Sequence, residues 1–520
     1  MPDDDSTLRP TDLSRTPTND SPEYDIVVFS ENDPEDPTTW SNLRKNSILA
    51  MSSLLAFAAV FGSSSYAPGE LQIKLIYGVS TTVASLGVAL YVLGFGIGPL
   101  FCPLTEMYGK RTPYLVSWVL LIATIAPSAY AENLTVILLF RFFAGCCASC
   151  PLNTGASVIS DLYIKDLAAL SRAVAIFGYC ALSGPCFGSL FGFIIAAHSG
   201  RELWVVRVHF FLCIALIPLV IFFPETYPPS ILANRAKRLR KDGNSNARAA
   251  HEISGMSTMQ IVQGHVLRPL AMIAREPIVQ GSALWVSLGY GIIYFFFQAF
   301  PVVFIRQHGI KFEVCGVLFL GVTFGMVFAI LPYPQLVRLF KRIPLPGIDR
   351  PGHEDEPEAQ LKVVLSACIL LPASMFWFAW ASGVETHWVV AFLASIPFGY
   401  ASLMVFFAFL SYNAHVYGVY SSSASAANTF VRSVIASAFP IFAGPLLDNL
   451  GTKWGVSIFG FLSICLWPIP LIYIKYGAQL RERSHFAKEA AALAAGMHNP
   501  IKDLGSSDKV QEKKSADLEV

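Results

Sequence analysis

The stretch LTVILLFRFFAGCCASCPLNTGASVI, residues 134–159, decides the fold. It holds one charged side chain, Arg141, in a run of apolar and small residues that is long enough to cross a hydrocarbon core of about 30 Å as a helix. Windows of this kind recur along the chain. We place twelve of them, near residues 46–68, 80–103, 112–131, 134–159, 172–197, 203–223, 279–304, 313–335, 362–382, 387–410, 424–447 and 453–476.

The composition of the whole chain is that of a membrane protein. Of the 520 residues, 54% are hydrophobic and 14% are charged, and the mean hydropathy of +0.51 is too high for a soluble protein of this length. Backbone groups cannot remain unpaired in lipid, and runs this long do not alternate as barrel strands do. We therefore predict an all-α membrane protein. The net charge of +1 gives no field that would attract nucleic acid.

Basic residues in the predicted connections indicate how the chain is oriented. Most of them fall on one side, whereas the other side offers only Lys74, Arg201, Arg306, Lys311 and Lys453. Because basic loops stay in the cytosol, both termini are predicted to be cytosolic. Residues 1–45, rich in Asp, Ser, Thr and Pro, are expected to form a disordered tail rather than a signal peptide, and residues 477–520 a second tail.

The longest connection, residues 224–278, is basic and polar and separates six predicted helices from six others. We therefore divide the chain into a bundle at 46–223, a cytosolic linker and a second bundle at 279–476. Arg172 is followed twelve positions later by Gly184-Pro185, and Arg432 at the same interval by Gly444-Pro445. This echo supports two repeated halves.

The ten cysteines lie in or beside apolar segments and indicate no disulfide framework. The run Cys146-Cys147-Ala148-Ser149-Cys150 has no nearby histidine, so the packing of small residues between helices is a better interpretation than a metal site.

The chain resembles the major facilitator superfamily, and within it the fungal twelve-helix drug:proton antiporters. The resemblance covers nearly everything after the N-terminal tail. Its motifs are DPEDPTTWSNLRKN (33–46), PLTEMYGKRTPYLVS (103–117), RFFAGCCASCPLNTGASVISDLY (141–163), GPCFGSLFG (184–192), FPETYPPSILANRAKRLRK (223–241) and SSSASAANTFVRSVIASAFPIFAGPLLDNLG (421–451). The fold that it implies has twelve transmembrane helices in two pseudo-symmetric six-helix bundles around a central cavity.

The resemblance implies a charge cluster at the cytosolic side. Glu106, Lys110 and Arg111 follow the second predicted helix, where the family places an acid and two basic residues, and Asp161 at the end of the fourth helix would join them. Such a cluster would act as a latch that holds the cytosolic face shut. Ordinary interfacial charge that only sets the topology is the alternative interpretation.

Arg141 is the most informative single residue, because an unpaired charge inside a membrane helix is costly. The resemblance links the matching arginine to proton coupling, and an inward-facing guanidinium could also bind an anionic group or tune a nearby acid. An arginine that snorkels outward, or that pairs structurally, is the alternative.

Gly184, Pro185, Gly188 and Gly192 on the fifth predicted helix resemble the motif that marks antiporters in this superfamily. Small residues let helices approach closely, and proline kinks a helix, so this segment could bend when the halves rock. Ser189 and Phe193 stand where a second proline and a glycine are common.

The resemblance also places the first and fourth helices of each half around the central path. Their polar and aromatic side chains are the predicted substrate contacts, namely Tyr66, Asn153, Trp285, Tyr290, Tyr294, Gln298 and Tyr400. Aromatic faces with a few hydroxyls and amides suit a bulky, largely apolar organic molecule. Each aromatic could instead pack against lipid or a neighbouring helix.

No Asp or Glu falls within the core of a predicted helix, and the carboxylates, among them Glu70, cluster at helix ends. His415 stands where related sequences commonly have an acid, so a titratable group is kept there. Arg432 is expected to pair with a helix-end acid or a carbonyl, and the equivalence of Arg172 and Arg432 suggests a role in gating.

The function expected from the resemblance is export of a small, largely apolar drug, toxin or secondary metabolite by proton antiport with alternating access. No enzymatic activity, cofactor or metal is expected, and ATP hydrolysis is not, since no GxxxxGK[ST] loop is present. A proton-coupled importer or facilitator of a nutrient and a non-transporting receptor are the alternatives. The chain is expected to be a multi-pass monomer in the plasma membrane, with the vacuolar membrane as a second possibility.

Overall fold

Long helices make up most of the protein. The computed structural model describes residues 24–101, 109–199, 204–249, 252, 263–345 and 356–498. The first six long helices are α1 (Asn42–Ser64), α2 (Thr81–Ile97), α3 (Arg111–Tyr130), α4 (Leu134–Tyr163), α5 (Leu167–Ser199) and α6 (Trp204–Ala215). The next four are α7 (Pro277–Phe300), α8 (Leu320–Ile330), α9 (Val364–Ala381) and α10 (Trp388–Tyr417).

The last long helical stretch, Ser421–Cys465, contains two helices. Gly451 has φ 70° and ψ 171°, which breaks the stretch into α11 (421–450) and α12 (452–465). Pro468–Arg483 continues α12 after a short turn. A φ in the left-handed region is what a glycine permits without strain, so this residue supplies the reversal between the last two crossings.

The described part of the chain confirms an all-α membrane protein and is consistent with twelve crossings. Ten segments in it are long and apolar enough to span a membrane. One of them, Ser421–Arg483, holds both α11 and α12, and the apolar helix α2 is shorter than the ten. Six long helices precede the linker and six follow it.

Several shorter helices extend or connect the long ones. A 3-10 turn at Ala67–Gly69 and the helix Glu70–Tyr77 continue α1, Ile217–Ile221 follows α6, a π-helical turn at Pro301–Gln307 continues α7, and Phe312–Val317 precedes α8. The remaining short helices are Pro228–Lys241, Arg268–Arg275, Tyr333–Arg342, Pro357–Leu361 and His485–His498. We call the end of the bundle that carries Pro228–Lys241 the linker side and the opposite end the far side.

Local sequence determines where several helices begin. Ser41 and Ser80 accept hydrogen bonds from the Arg44 and Val83 amides, and Asn133 accepts one from the Thr135 amide at 2.8 Å. Such caps satisfy amides in the first turn that have no partner within the helix. They place the starts of α1, α2 and α4 within a few residues of the predicted windows.

The two halves meet mainly along two helix pairs among the described residues: α2 packs against α11, and α5 packs against α8 and the short helix before it. The 3-10 turn Ala67–Gly69 that follows α1 also contacts α7. Phe193 of α5 is 4.9 Å from the Phe312 ring and 6.2 Å from the Phe319 ring, centroid to centroid. Phe193 stands where the resembled motif commonly has a glycine, and here its ring fills the contact between the halves.

Residues 24–41, predicted to belong to a disordered tail, are ordered, so that prediction is wrong for this segment. The strand β1 (Asp25–Val27) pairs in parallel with β2 (Ala247–Ala249). Asp33 forms an ion pair with Arg235, Glu35 pairs with Arg238 at 2.8 Å, and Asp36 pairs with Lys165 at 3.1 Å. Local composition could not reveal these long-range partners. We call this segment the N-terminal clasp; residues 1–23 lie outside the described residues.

Asp33 of the N-terminal clasp stays ionised at cellular pH. The pKa of Asp33 is lowered to about 2, first by a hydrogen bond from the Glu35 amide and then by the Arg235 guanidinium. A carboxyl with a lowered pKa stabilises the fold above its unfolded value of 3.8 and loses that contribution as the pH falls towards 2. The contribution of Asp33 to the clasp is therefore present throughout the cellular pH range.

Glycines on α5 set how closely it packs against α1. A methyl group at Gly188 would overlap Ser64 Oγ and Phe61 O, and one at Gly192 would lie 2.7 Å from Ser65 O. One at Gly184 would lie 3.1 Å from Phe57 O. The equivalent glycine of the second half, Gly444, has only Thr81 Cγ2 nearby, at 3.7 Å. The two halves therefore repeat the Gly-Pro sequence but pack differently at Gly184 and at Gly444.

We expect Gly188→Ala to destabilise the protein and Gly444→Ala to leave it unchanged. Overpacking at a backbone contact costs about 1–3 kcal/mol, whereas the open site at Gly444 accepts a methyl group. The measurement is the melting temperature and the monodisperse yield of each full-length variant in detergent. Equal behaviour of the two variants would show that α5 does not need its close approach to α1.

Candidate functional site

Arg141 lies inside the first half, and each of its three guanidinium nitrogens donates a hydrogen bond. Only 1% of its surface is exposed. Its Nε donates to Gly87 O at 2.8 Å, its Nη1 to Gly62 O at 2.8 Å and its Nη2 to Ser63 O at 3.2 Å. The side chain thus joins α4 to both α1 and α2, and it does not snorkel outward.

Two tyrosine rings flank the Arg141 guanidinium. Its Cζ lies 4.4 Å from the Tyr91 ring centroid and 4.9 Å from that of Tyr66. A cation between aromatic faces in a desolvated site gains about 2 kcal/mol or more. A methyl group at Gly87 would collide with the Tyr66 ring, so this glycine allows the ring and its own carbonyl to surround the same cation.

Beyond Arg141 towards the far side, α1 and α7 are joined by polar contacts across the two halves. Ser63 Oγ is 3.1 Å from Tyr294 OH, which is 3.1 Å from Tyr290 OH. Near the end of α7, Gln298 Nε2 donates a hydrogen bond to Oε2 of Glu70, the first residue of the short helix that continues α1. We call these groups the α1–α7 joint. They hold the far side of the two halves together in this conformation.

Glu70 lies at a helix end, as expected, because it is the first residue of the helix Glu70–Tyr77, and it is also buried. Its exposed fraction is 5%, and its charge and that of Arg141 interact. The predicted window ended at residue 68, two residues before Glu70. Pro68 and Gly69 lie in a short 3-10 turn, and in the helix Glu70–Tyr77 that follows only Glu70 and Ile73 are buried. Sequence gave no other sign of the partner Gln298 than its place on the seventh predicted helix.

His209 of α6 is a second buried titratable group that the sequence analysis missed. It is fully buried, its Nε2 lies 3.1 Å from Ala58 O, and its ring fills the space that a side chain at Gly62 would need. A single histidine within the apolar window 203–223 was the sequence feature that could have indicated this buried group. It supports the α1 segment that presents carbonyls to Arg141.

Arg432 differs from Arg172, its sequence equivalent. Arg172 is exposed, whereas Arg432 is 6% exposed, between the Tyr290 ring at 4.6 Å and the Phe406 ring at 5.2 Å. Arg432 was expected to pair with an acid or a carbonyl. Among the residues that the structure describes it forms neither contact, and its Nε is buried without a hydrogen-bond partner.

The predicted substrate contacts separate into two groups. Tyr66, Tyr290, Tyr294 and Gln298 gather around Arg141 and the α1–α7 joint. The others are directed elsewhere: Trp285 Nε1 donates to Leu466 O at 2.7 Å, Tyr400 OH is 3.2 Å from Ser366 Oγ, and Asn153 donates to Ser149 O of its own helix. Trp285 and Tyr400 thus bond towards the end of α12 and towards α9.

On the linker side, Lys110 and Asp161 form an ion pair, as the predicted latch requires. Lys110 Nζ also donates to Ser157 O at 2.9 Å, and Thr226 Oγ1 donates to Asp161 at 3.3 Å. Arg111 donates instead to Ile221 O at 3.0 Å. These contacts connect α3, α4 and the end of α6 within the first half, and Glu106 lies outside the described residues.

Glu225 is the acceptor that completes this cluster. Its carboxylate accepts hydrogen bonds from the amides of Lys110, Arg111, Thr226 and Tyr227 at 2.9–3.1 Å. Gly109 has φ +80°, and a methyl group there would collide with Glu225 Oε2. The glycine of the loop is thus required both by its backbone conformation and by the carboxylate that it faces.

His415 lies at the linker-side end of α10, exposed, with Nδ1 2.8 Å from Ser411 O of the same helix. It lies in the last turn of α10, and the neighbouring Ser411 donates a hydrogen bond to Gln360 of the segment before α9. The structure does not bring it together with the other predicted coupling residues.

Two helical halves that meet around buried charges define a membrane transporter, since ionisable groups inside a bundle are costly and mark a transport path. The Major Facilitator Superfamily family model matches residues 49–440. The chain belongs to the major facilitator superfamily and is a transporter rather than an enzyme.

Curated relatives from fungi match most of the chain. Major facilitator superfamily multidrug transporter mdrA of Aspergillus fumigatus is 33% identical over 480 residues, which cover 92% of this chain and 78% of that one. Citrinin biosynthesis cluster MFS transporter mrr1 of Monascus ruber is 34% identical and covers 89% and 92%. The crystal structure of a D-xylose-proton symporter aligns with TM-score 0.57 at 14% identity, over 84% of this chain and 97% of that one, and shows the same fold.

We expect Arg141→Met to lower the stability of the protein, and Arg432→Met not to. The first change removes three charged hydrogen bonds between helices and should cost about 2–4 kcal/mol, whereas the second removes a cation that bonds no described acceptor. The measurement is the melting temperature of both full-length variants in the same detergent. Equal losses would mean that the carbonyl contacts of Arg141 do not hold α4 to α1 and α2.

Proposed function

We propose that this chain exports a small, largely apolar organic molecule from the cytosol in exchange for protons, by alternating access. Two of its relatives are named a multidrug transporter and a citrinin biosynthesis cluster transporter, and others are named efflux pumps. The aromatic rings around the α1–α7 joint suit such a substrate. The observation that carries the proton part is the burial of Glu70 at the contact between the two halves.

The proposed coupling follows from the cost of burying a charge. When the far side is open, Glu70 meets water and can take a proton from outside. A neutral carboxyl is buried at a lower cost than an ionised one, so protonation favours closure of the α1–α7 joint. Loss of the proton to the linker side restores a buried charge, which Arg141 and Gln298 only partly compensate. Substrate binding then supplies the remaining free energy that reopens the far side.

The proposed orientation puts the linker side and both termini in the cytosol. The helix Pro228–Lys241 on that side ends with three basic residues in its last turn, and basic segments stay in the cytosol. Glu70 and the α1–α7 joint then face the outside, where protons are in excess. We place the protein in the plasma membrane and propose that one chain is the working unit, because one chain contains both halves of the path.

We expect Glu70→Gln to reduce efflux by roughly tenfold or more and to make the remaining flux insensitive to an uncoupler, since a permanently neutral side chain cannot carry a proton. The exposed acid Glu385 provides the matched control, and Glu385→Gln should behave as the parent chain. The measurement is the cellular accumulation of a fluorescent compound to which the parent chain confers resistance, in a host that lacks its own pumps. Uncoupler-sensitive efflux by Glu70→Gln would contradict the proposal.

The same assay separates the alternatives. An exporter lowers the accumulation of the compound, and an uncoupler raises it again. An importer or facilitator would raise accumulation when the chain is expressed. A receptor would leave the accumulation of every compound unchanged, and purified protein in liposomes would move none of them.

A further inference from the structure

The guanidinium of Arg432 is a buried cation that no described acceptor bonds. It is 6% exposed, its Nε has no hydrogen-bond partner, and no described carboxylate lies within ion-pair distance. A buried guanidinium of this kind is costly unless an anion or strong acceptors compensate it. Arg141, the other arginine that is buried among the described residues, has three carbonyl partners, so the chain can satisfy such a residue where its role is structural.

Aromatic rings and hydroxyl groups lie around Arg432, beside the contact between the halves. The rings of Tyr290 and Phe406 lie 4.6 Å and 5.2 Å from its Cζ. Tyr290 OH is hydrogen-bonded to Tyr294 OH, which reaches Ser63 of the other half. The cation thus sits beside a chain of hydroxyls at the α1–α7 joint and has two aromatic faces against it.

Further polar atoms continue this site on the linker side. Asn428 lies one helical turn before Arg432 on α11, and its amide makes a long contact of 3.5 Å with Ser282 Oγ. Asn413 Nδ2 donates to the same hydroxyl at 3.0 Å, while its Oδ1 is buried without a hydrogen-bond partner. The second half therefore holds a column of polar groups with unused hydrogen-bonding capacity, and Arg432 is the charge within it.

We propose that Arg432 binds an anionic group of the transported molecule, so that the substrate class is an aromatic or otherwise apolar organic acid carried as its carboxylate. The inference rests on the proposed function and names its substrate class. A guanidinium fork matches a carboxylate with two parallel hydrogen bonds, and the rings of Tyr290 and Phe406 suit an apolar body attached to it. The same charge repels cationic compounds.

The proposal agrees with the energetics of antiport. A carboxylate that leaves the cytosol and a proton that enters both move down an inside-negative membrane potential. Arg432 and Glu70 also lie on opposite halves, on α11 and on the extension of α1. The substrate anion and the proton therefore have separate sites, one in each half.

The experiment compares carboxylates with their uncharged amides. Purified full-length protein in nanodiscs is titrated with 2-naphthoate, benzoate, 4-phenylbenzoate and indole-3-acetate, and with the amide of each, and binding is followed by quenching of tryptophan fluorescence. We expect at least one acid to bind more tightly than its amide by roughly 10- to 100-fold, the range of a hydrogen bond to a charged group. Arg432→Gln should remove this preference by weakening the acid alone.

Two further variants make the result specific. Arg432→Lys keeps the charge without the fork and should retain part of the preference. Arg306→Gln, at an arginine of the same half whose side chain is 67% exposed, should bind as the parent chain does. The unchanged affinity of Arg432→Gln for the amide shows that the variant is folded.

The proposal is overturned if no acid in the panel binds, if acids and amides bind equally, or if the preference survives Arg432→Gln. Failure of the proposed export appears separately. A chain that lowers cellular accumulation of neutral compounds but shows no acid preference is an exporter without this site. A chain that binds acids through Arg432 but moves nothing in liposomes has the site without the transport function.

Discussion

The Arg141 guanidinium donates hydrogen bonds to carbonyl oxygens of α1 and α2. It is the one charged side chain in the apolar stretch 134–159 of α4. In a hydrocarbon environment a guanidinium must be fully satisfied or it destabilises the helix that carries it. Gly62 and Gly87 supply two of the three carbonyls, and their missing side chains leave room for His209 and Tyr66. The first half is therefore organised around one cation, and α1 is held in the position from which it reaches α7.

The buried polar groups differ in how completely their charges and hydrogen-bonding atoms are paired. Arg141 and the Lys110–Asp161 cluster have several bonds each and lie within one half. Glu70 and Arg432 are less fully compensated and lie at or near the contact between the halves. A charge whose compensation depends on the other half, or on a bound molecule, favours different conformations in different states. Transport chemistry is expected at these incompletely satisfied groups.

The positions of the helices could be predicted from the sequence, because the length of an apolar stretch depends only on the residues within it. The windows, the caps at Ser41 and Asn133 and the buried Arg141 all follow from residues within one segment. Side-chain direction did not follow: Trp285 and Tyr400 lie on helices of the central path but face α12 and α9. Local sequence also did not reveal long-range partners: Asp33 pairs with Arg235, which lies 202 residues further along the chain. Glu70 was expected at a helix end, where it lies, but local sequence did not reveal its burial or its partner Gln298.

The central claim is that protonation of Glu70 closes the far side of the two halves while the linker side opens. Pulsed electron paramagnetic resonance measures this directly with spin labels at two pairs of exposed sites, Leu75 and Lys311 on the far side and Ile164 and Ile343 on the linker side. On acidification the Leu75–Lys311 distance should shorten and the Ile164–Ile343 distance should lengthen, and Glu70→Gln should keep the acid-state distances in alkaline buffer. Distances that ignore pH, or that change in the same sense on both sides, would contradict the account.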